Sequence, residues 1–150
     1  MYKKALIVGA VSAAAVATAL ASGASASGPP TVGSGAFTEP SSVVVSVKQA
    51  GPVTFVVLNN VVDWTGTIAG VASETLSITV KPSGDSVFHG SDVFPDGRRI
   101  SLEGKDSGGA FQGTFTLTGS VGSNGHGTFQ GSDSCGGGNA CGTYAGNFVN

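Results

Sequence analysis

Thr75-Leu76-Ser77-Ile78-Thr79-Val80-Lys81 alternates apolar with hydroxylated side chains at a period of two and ends at the turn sequence Pro82-Ser83-Gly84-Asp85. Successive side chains of a strand point to opposite faces, so the stretch predicts a strand with Leu76, Ile78 and Val80 buried and Thr75, Ser77 and Thr79 wet. The same pattern recurs. Phe111-Gln112-Gly113-Thr114-Phe115-Thr116-Leu117 sets Phe111, Phe115 and Leu117 inward and Thr114, Thr116 and Thr118 outward. Residues 99–105 place Ile100 and Leu102 on one face, Ser101 and Glu103 on the other, after the strong turn signal Pro95-Asp96-Gly97. Residues 43–47 and 53–58 read as a hairpin about Gln49-Ala50-Gly51-Pro52, and their apolar runs predict that both faces are at least partly covered. Further strands are expected at 61–70, 86–93, 127–130 and 142–148.

No window after residue 34 combines helical spacing of apolar residues with capping chemistry. A short motif repeats instead: Gly66-Thr67-Ile68-Ala69-Gly70, Gly113-Thr114-Phe115, Gly127-Thr128-Phe129-Gln130-Gly131 and Gly142-Thr143-Tyr144-Ala145-Gly146. It pairs a glycine bend with an apolar or aromatic plug. Interior glycines weaken a flat sheet, but they let strands coil and leave room for a large side chain from a neighbour, as closure of a sheet requires. Eight to ten strands at this spacing predict an all-β chain, a single antiparallel β-barrel of about eight strands, with a β-sandwich as the alternative.

The chain has 150 residues, enough for one small domain, with 25 Gly, 2 Cys and a formal charge of −2. Seven scattered Lys and Arg make no basic stripe, so nucleic acid is not an expected partner. The glycines have no Gly-X-Y period and are interleaved with Val, Ile, Phe and Thr, which argues against both collagen and disorder.

Residues 1–26 read as a secretory signal: Lys3 and Lys4 precede an alanine-rich apolar run over 5–20, and Ala24 and Ala26 supply the small residues for cleavage after Ala26. The run is shorter and less apolar than a membrane span requires. Release into the medium is the expected fate, with no membrane partner once the signal is removed. The processed chain keeps five basic and nine acidic residues, a charge of −4. Residues 27–34 read as a flexible leader and 35–150 as the barrel domain. In an oxidising compartment Cys135 and Cys141 pair as a disulfide closing a seven-residue, glycine-rich ring, which contributes about 2 kcal/mol by loop entropy.

Residues 64–148 resemble the allene oxide cyclase and dirigent barrel superfamily, including secreted bacterial members of unassigned function. Phe111-Gln112-Gly113-Thr114-Phe115-Thr116-Leu117 and Cys141-Gly142-Thr143-Tyr144-Ala145-Gly146-Asn147-Phe148 carry the resemblance, while the cysteine loop falls outside the family pattern. The resemblance implies an eight-stranded barrel with an apolar cavity, often trimeric. It carries over no catalytic residue.

The chemistry legible without it is sparse. Asp106-Ser107-Gly108-Gly109 has the residues that surround a trypsin-like nucleophile, but His89 is the one upstream His and a chain of this length cannot build the double barrel, so a β-turn is expected. His89-Gly90-Ser91-Asp92 gathers triad residue types, yet along a strand His89 and Ser91 share a face while Asp92 points away. His89 and His126 lack ligand spacing, so no metal and no cofactor are called for. Glu74, Asp85, Asp96 and Asp106 fall at expected turns or strand ends, whereas Asp63, Asp92 and Glu103 face a neighbour or a cavity.

The reading that follows is a small secreted barrel holding a small apolar ligand, with Trp64, Phe88, Phe115 and Tyr144 near the cavity and no catalytic residue. One alternative is a dirigent- or cyclase-like enzyme guiding a reactive intermediate by cavity shape, with Asp63, His89 or Arg99 as inward polar groups. The other is a structural or surface-interaction protein of the cell envelope, using Thr-rich outer faces. A homo-oligomer is the expected assembly if the resemblance holds.

Overall fold

The computed structural model describes residues 28–119, 124–137 and 139–149. Among them there is no helix. Eight strands follow in order: β1 (Thr31–Ala50), β2 (Val53–Gly66), β3 (Gly70–Val80), β4 (Ser86–Val93), β5 (Arg99–Ser107), β6 (Ala110–Thr118), β7 (Asn124–Ser132) and β8 (Cys141–Val149). Each pairs antiparallel with its predecessor and β8 returns to β1, so the sheet closes into a barrel and the sandwich alternative falls.

Because all connections are up-and-down, turns collect alternately at two ends. One end carries the β1–β2, β3–β4, β5–β6 and β7–β8 connections, the last closed by the Cys135–Cys141 disulfide. The other carries the β2–β3 and β4–β5 turns. The β5–β6 connection is the Asp106-Ser107-Gly108-Gly109 segment, and Gly108 and Gly109 take φ of 65° and 82°. Two successive positive φ values fit the twist of a tight hairpin, so these residues make a turn as expected.

Closure depends on paired size differences. On the inner face a glycine of one strand sits directly opposite an aromatic of the next: Gly104 by Phe88, Gly113 by Phe129, Gly127 by Phe115, Gly131 by Phe111, Gly142 by Phe37 and Gly35 by Tyr144. A Cβ on Gly113 would stand 2.6 Å from the Phe129 ring, and one on Gly127 2.8 Å from Phe115. The rings lie flat across the glycines and fill a narrow barrel that larger residues would burst, a known device for curved sheets. This is the physical basis of the Gly-Thr-aromatic repeat.

Three expectations change. The leader over 27–34 is in part strand, because Thr31 to Ser34 pair with Phe148 to Ala145 of β8. The strand expected over 61–70 is the end of β2 plus a turn, in which Gly66 and Gly70 take positive φ. The hairpin of 43–47 with 53–58 forms, but the expectation that both faces of the first strand are covered does not hold. β8 pairs with β1 only as far as Thr38, so residues 41–50 overhang the barrel, exposed and bonded on the β2 side only. Val43, Val44, Val45 and Val47 all face water there.

Candidate functional site

Period-two alternation sorts the inward side chains into two layers along the barrel axis. The layer nearer the β2–β3 turn is solid. Ile68, fully buried, folds back from that turn into the barrel mouth and packs in the same core as Ile100, Phe94 and Phe115. The Tyr144 hydroxyl accepts from the Ile68 amide and lies 2.9 Å from the Thr65 carbonyl and 3.1 Å from that of Ile68, tying the turn shut. Burial pushes the Tyr144 phenol up. Arg98 seals the outside, its guanidinium 4.4 Å over the Phe94 ring while Nη2 donates to the Ala69 carbonyl at 2.7 Å and Nε pairs with Asp96.

The layer toward the disulfide end is hollow. A cavity of about 260 Å³ lies within it, walled by Phe37, Trp64, Phe88, Phe111 and Phe129, with Leu76 completing the apolar side. Their rings form a connected set, Phe37 to Trp64 at 5.0 Å, Phe37 to Phe111 at 6.1 Å and Phe88 to Phe129 at 6.1 Å between centroids. Trp64 is its floor, and its other side meets Tyr144 of the solid layer at 5.3 Å.

Carboxyl groups interrupt this apolar wall. Glu39 sits at a β-bulge, where the register slips between Thr38 and Ser41 and Pro40 has no amide to offer the ladder. Asn60 is almost fully buried and its Nδ2 bridges Glu39, at 3.2 Å, and Glu74, at 2.5 Å. Beneath them Asp92, with no exposed surface, accepts from Trp64 Nε1 at 2.8 Å and adjoins the Glu74 carboxyl. Asp106 and Asp133 line the rim. Among the described residues no Lys, Arg or His lines the cavity.

Burial dominates the acidity of the cluster. It pushes Glu39 up to about 7, helped by the charges of Glu74 and Asp133. Glu74 and Asp92 both rise for the same reason, Glu74 further through the Asp92 charge, while the Trp64 bond holds Asp92 back. Asp133 is raised by partial burial and by Asp106. The cluster thus keeps protons at pH values where ordinary carboxyls have lost them. Among the described residues no group of three or more His, Cys, Asp or Glu is arranged to hold a metal ion.

Of the residues singled out from sequence, Trp64 and Phe88 line the cavity. Phe115 and Tyr144 belong to the solid layer, where Phe115 packs on Tyr144 and Phe148. Asp63, His89 and Arg99 stand on the outer face and contribute nothing to the interior. Glu103 is outward too, whereas Asp92 faces inward. Cys135 and Cys141 are joined as expected, and Ala24 and Ala26 lie outside the described residues. Glu74 and Asp106, read as turn or strand-end residues, instead contribute to the cavity. The signal was available: Glu74 shares its parity with Leu76 and Ile78, and Asp106 with Leu102. Glu39 likewise shares its parity with the inward Phe37, and the bulge falls only beyond it.

Comparison of the chain with family models, with curated proteins and with solved structures gives no match.

Proposed function

We propose that this chain is a secreted β-barrel protein that holds one small, mainly apolar molecule in the cavity at its disulfide end. The supporting observation is that cavity itself, about 260 Å³ behind five aromatic rings with a few convergent polar groups, the composition that small-molecule sites share. The solid opposite layer supplies a rigid floor. The Cys135–Cys141 bridge agrees with an oxidising destination. The barrel puts apolar side chains inside and groups such as Asp63, His89, Glu103 and Lys105 outside, the reverse of a membrane barrel.

A second reading draws on the carboxyl cluster. Acids that stay protonated near neutrality beside an apolar cavity suit proton donation to a reactive intermediate, as a dirigent- or cyclase-like enzyme would need. The family resemblance of residues 64–148 favours either reading.

Native mass spectrometry of the protein purified from its own culture medium tests the binding reading. A reproducible adduct lost on denaturation, absent after Phe111→Trp fills the cavity, is the expected result. A bare protein in every preparation, with no small molecule retained on incubation with the producing culture's extract, would count against it.

A further inference from the structure

We infer that the molecule held in the cavity is an organic ammonium, an apolar ring or chain ending in a protonated primary or secondary amine. The inference rests on the binding reading above and names its ligand class.

Three features point the same way. The cavity is lined by carboxyl groups from β1, β3 and β5 and from the β7–β8 connection (Glu39, Glu74, Asp106 and Asp133), and among the described residues no Lys, Arg or His lines it. Buried carboxyls are ordinarily matched by a cation, and the described residues lining this cavity supply none. Second, of the buried side-chain atoms that lack a hydrogen-bond partner, the one on a cavity-lining residue is an oxygen, Asp106 Oδ2. A ligand that completes the site must donate hydrogen bonds, and a charged N–H donates the strongest. Third, five aromatic rings line the same cavity, and aromatic rings attract a cation in a desolvated site and would cover its apolar body. A metal ion is a poor fit because no three of these groups converge. A quaternary ammonium would satisfy the rings but leave the oxygens without donors.

The cluster's protons fit this ligand class. Without a guest Glu39 and Glu74 keep protons above the ordinary carboxyl range; an ammonium replaces them, so binding releases protons and tightens as pH rises.

The single tryptophan, Trp64, is both cavity floor and reporter. Its fluorescence is followed while the full protein is titrated with 2-phenylethylammonium, 2-phenylethanol and 3-phenylpropanoate, three molecules of similar shape, and with the neutral dye 1-aminoanthracene. At about pH 8 the ammonium is expected to bind about tenfold more tightly than the alcohol, the margin of a charge-assisted over a neutral hydrogen bond, and the propanoate weakest. That preference is expected to shrink at about pH 5.5, where Glu39 and Glu74 hold their protons. In Glu39→Gln and Glu74→Gln it is expected to collapse while the alcohol's affinity stays, which also shows that the variants are folded. Binding of the dye, alcohol or propanoate at least as tightly as the ammonium overturns the ammonium inference and leaves a ligand barrel. No response to any of the four overturns both.

Discussion

Tyr144 and Trp64 pack ring to ring at 5.3 Å and mark where one barrel becomes two different interiors. On the Tyr144 side, aromatic rings laid over glycines are joined by Ile68, delivered from the β2–β3 turn, and the space is closed. On the Trp64 side the same ring-over-glycine pairs recur, Phe37 over Gly142 and Phe111 over Gly131, yet a cavity remains. The strands are alike, so the difference comes from the connections. The turn 66–70 folds an isoleucine inward, whereas the disulfide-closed connection brings Asp133, Asn139 and only the small Ala140 to the cavity, too little apolar bulk to fill it. A barrel of eight strands is narrow enough for side chains alone to fill, and one loop side chain decides whether a ligand-sized space is left.

If that contrast is real, truncation should cost unequally at the two ends. Phe115→Ala, in the solid layer, is expected to lose about 3–5 kcal/mol in denaturant unfolding, since it opens a void with no access for water. Phe111→Ala, on the cavity wall, is expected to lose only about 2 kcal/mol, the transfer part alone. Equal losses would break the comparison. Replacing Cys135 and Cys141 by Ser should cost about 2 kcal/mol through the small ring's entropy and weaken retention of a cavity ligand, with the closed end's amide exchange unaltered. Tyr144→Phe keeps the ring but leaves the Ile68 amide without its acceptor, and an expected loss of about 1–2 kcal/mol confined to unfolding of the β2–β3 turn would show that the hydroxyl holds the plug.

The smallest effect is the pH response of the hollow layer. Glu39, Glu74 and Asp92 have folded pKa values raised above ordinary ones, so at low pH folded and unfolded chains both hold the protons. As pH rises above about 4.5 the unfolded chain releases them first, and stability falls until the folded cluster also ionises near neutrality and above. Asp85 and Asp96, exposed and held low mainly by hydrogen bonds from Ser107 and Arg98, act oppositely only at more acid pH. A melting temperature a few degrees lower at about pH 8 than at about pH 5 is therefore expected, and Glu74→Gln should flatten the slope. A melting temperature that rises over that interval would refute the assignment of these acids to a buried cluster.

Much of this architecture is legible in the sequence because strand parity is a local property. Leu76, Ile78, Ile100, Phe115 and Leu117 declare their faces by alternation, and the glycine–aromatic repeat anticipates a closed, tightly coiled sheet. The cavity is not legible, because it depends on which turn reaches back into the barrel, and nothing in Gly66-Thr67-Ile68-Ala69-Gly70 says at which end its isoleucine is used. The overhang of residues 41–50 escapes for a related reason: a run of valines looks the same whether a ninth partner covers it or water does. Asp63, His89 and Arg99 were singled out for their chemistry, but their neighbours Val62, Phe88 and Ile100 already take the inner face, so parity places all three outside. Applied with the same strictness to Glu74 and Asp92, that rule would have placed both acids in the interior.

The most direct test is methyl NMR of the protein titrated with 2-phenylethylammonium. Leu76, Ile78 and Leu102 border the hollow layer, and Ile68 and Ile100 are fully buried in the solid one. Saturable shifts confined to the first three methyl groups, with Ile68 and Ile100 unmoved, are the expected result. Shifts at Ile68 and Ile100, or a non-saturating drift spread over outward-facing Val71 and Val87, would contradict a barrel with one closed and one ligand-holding end.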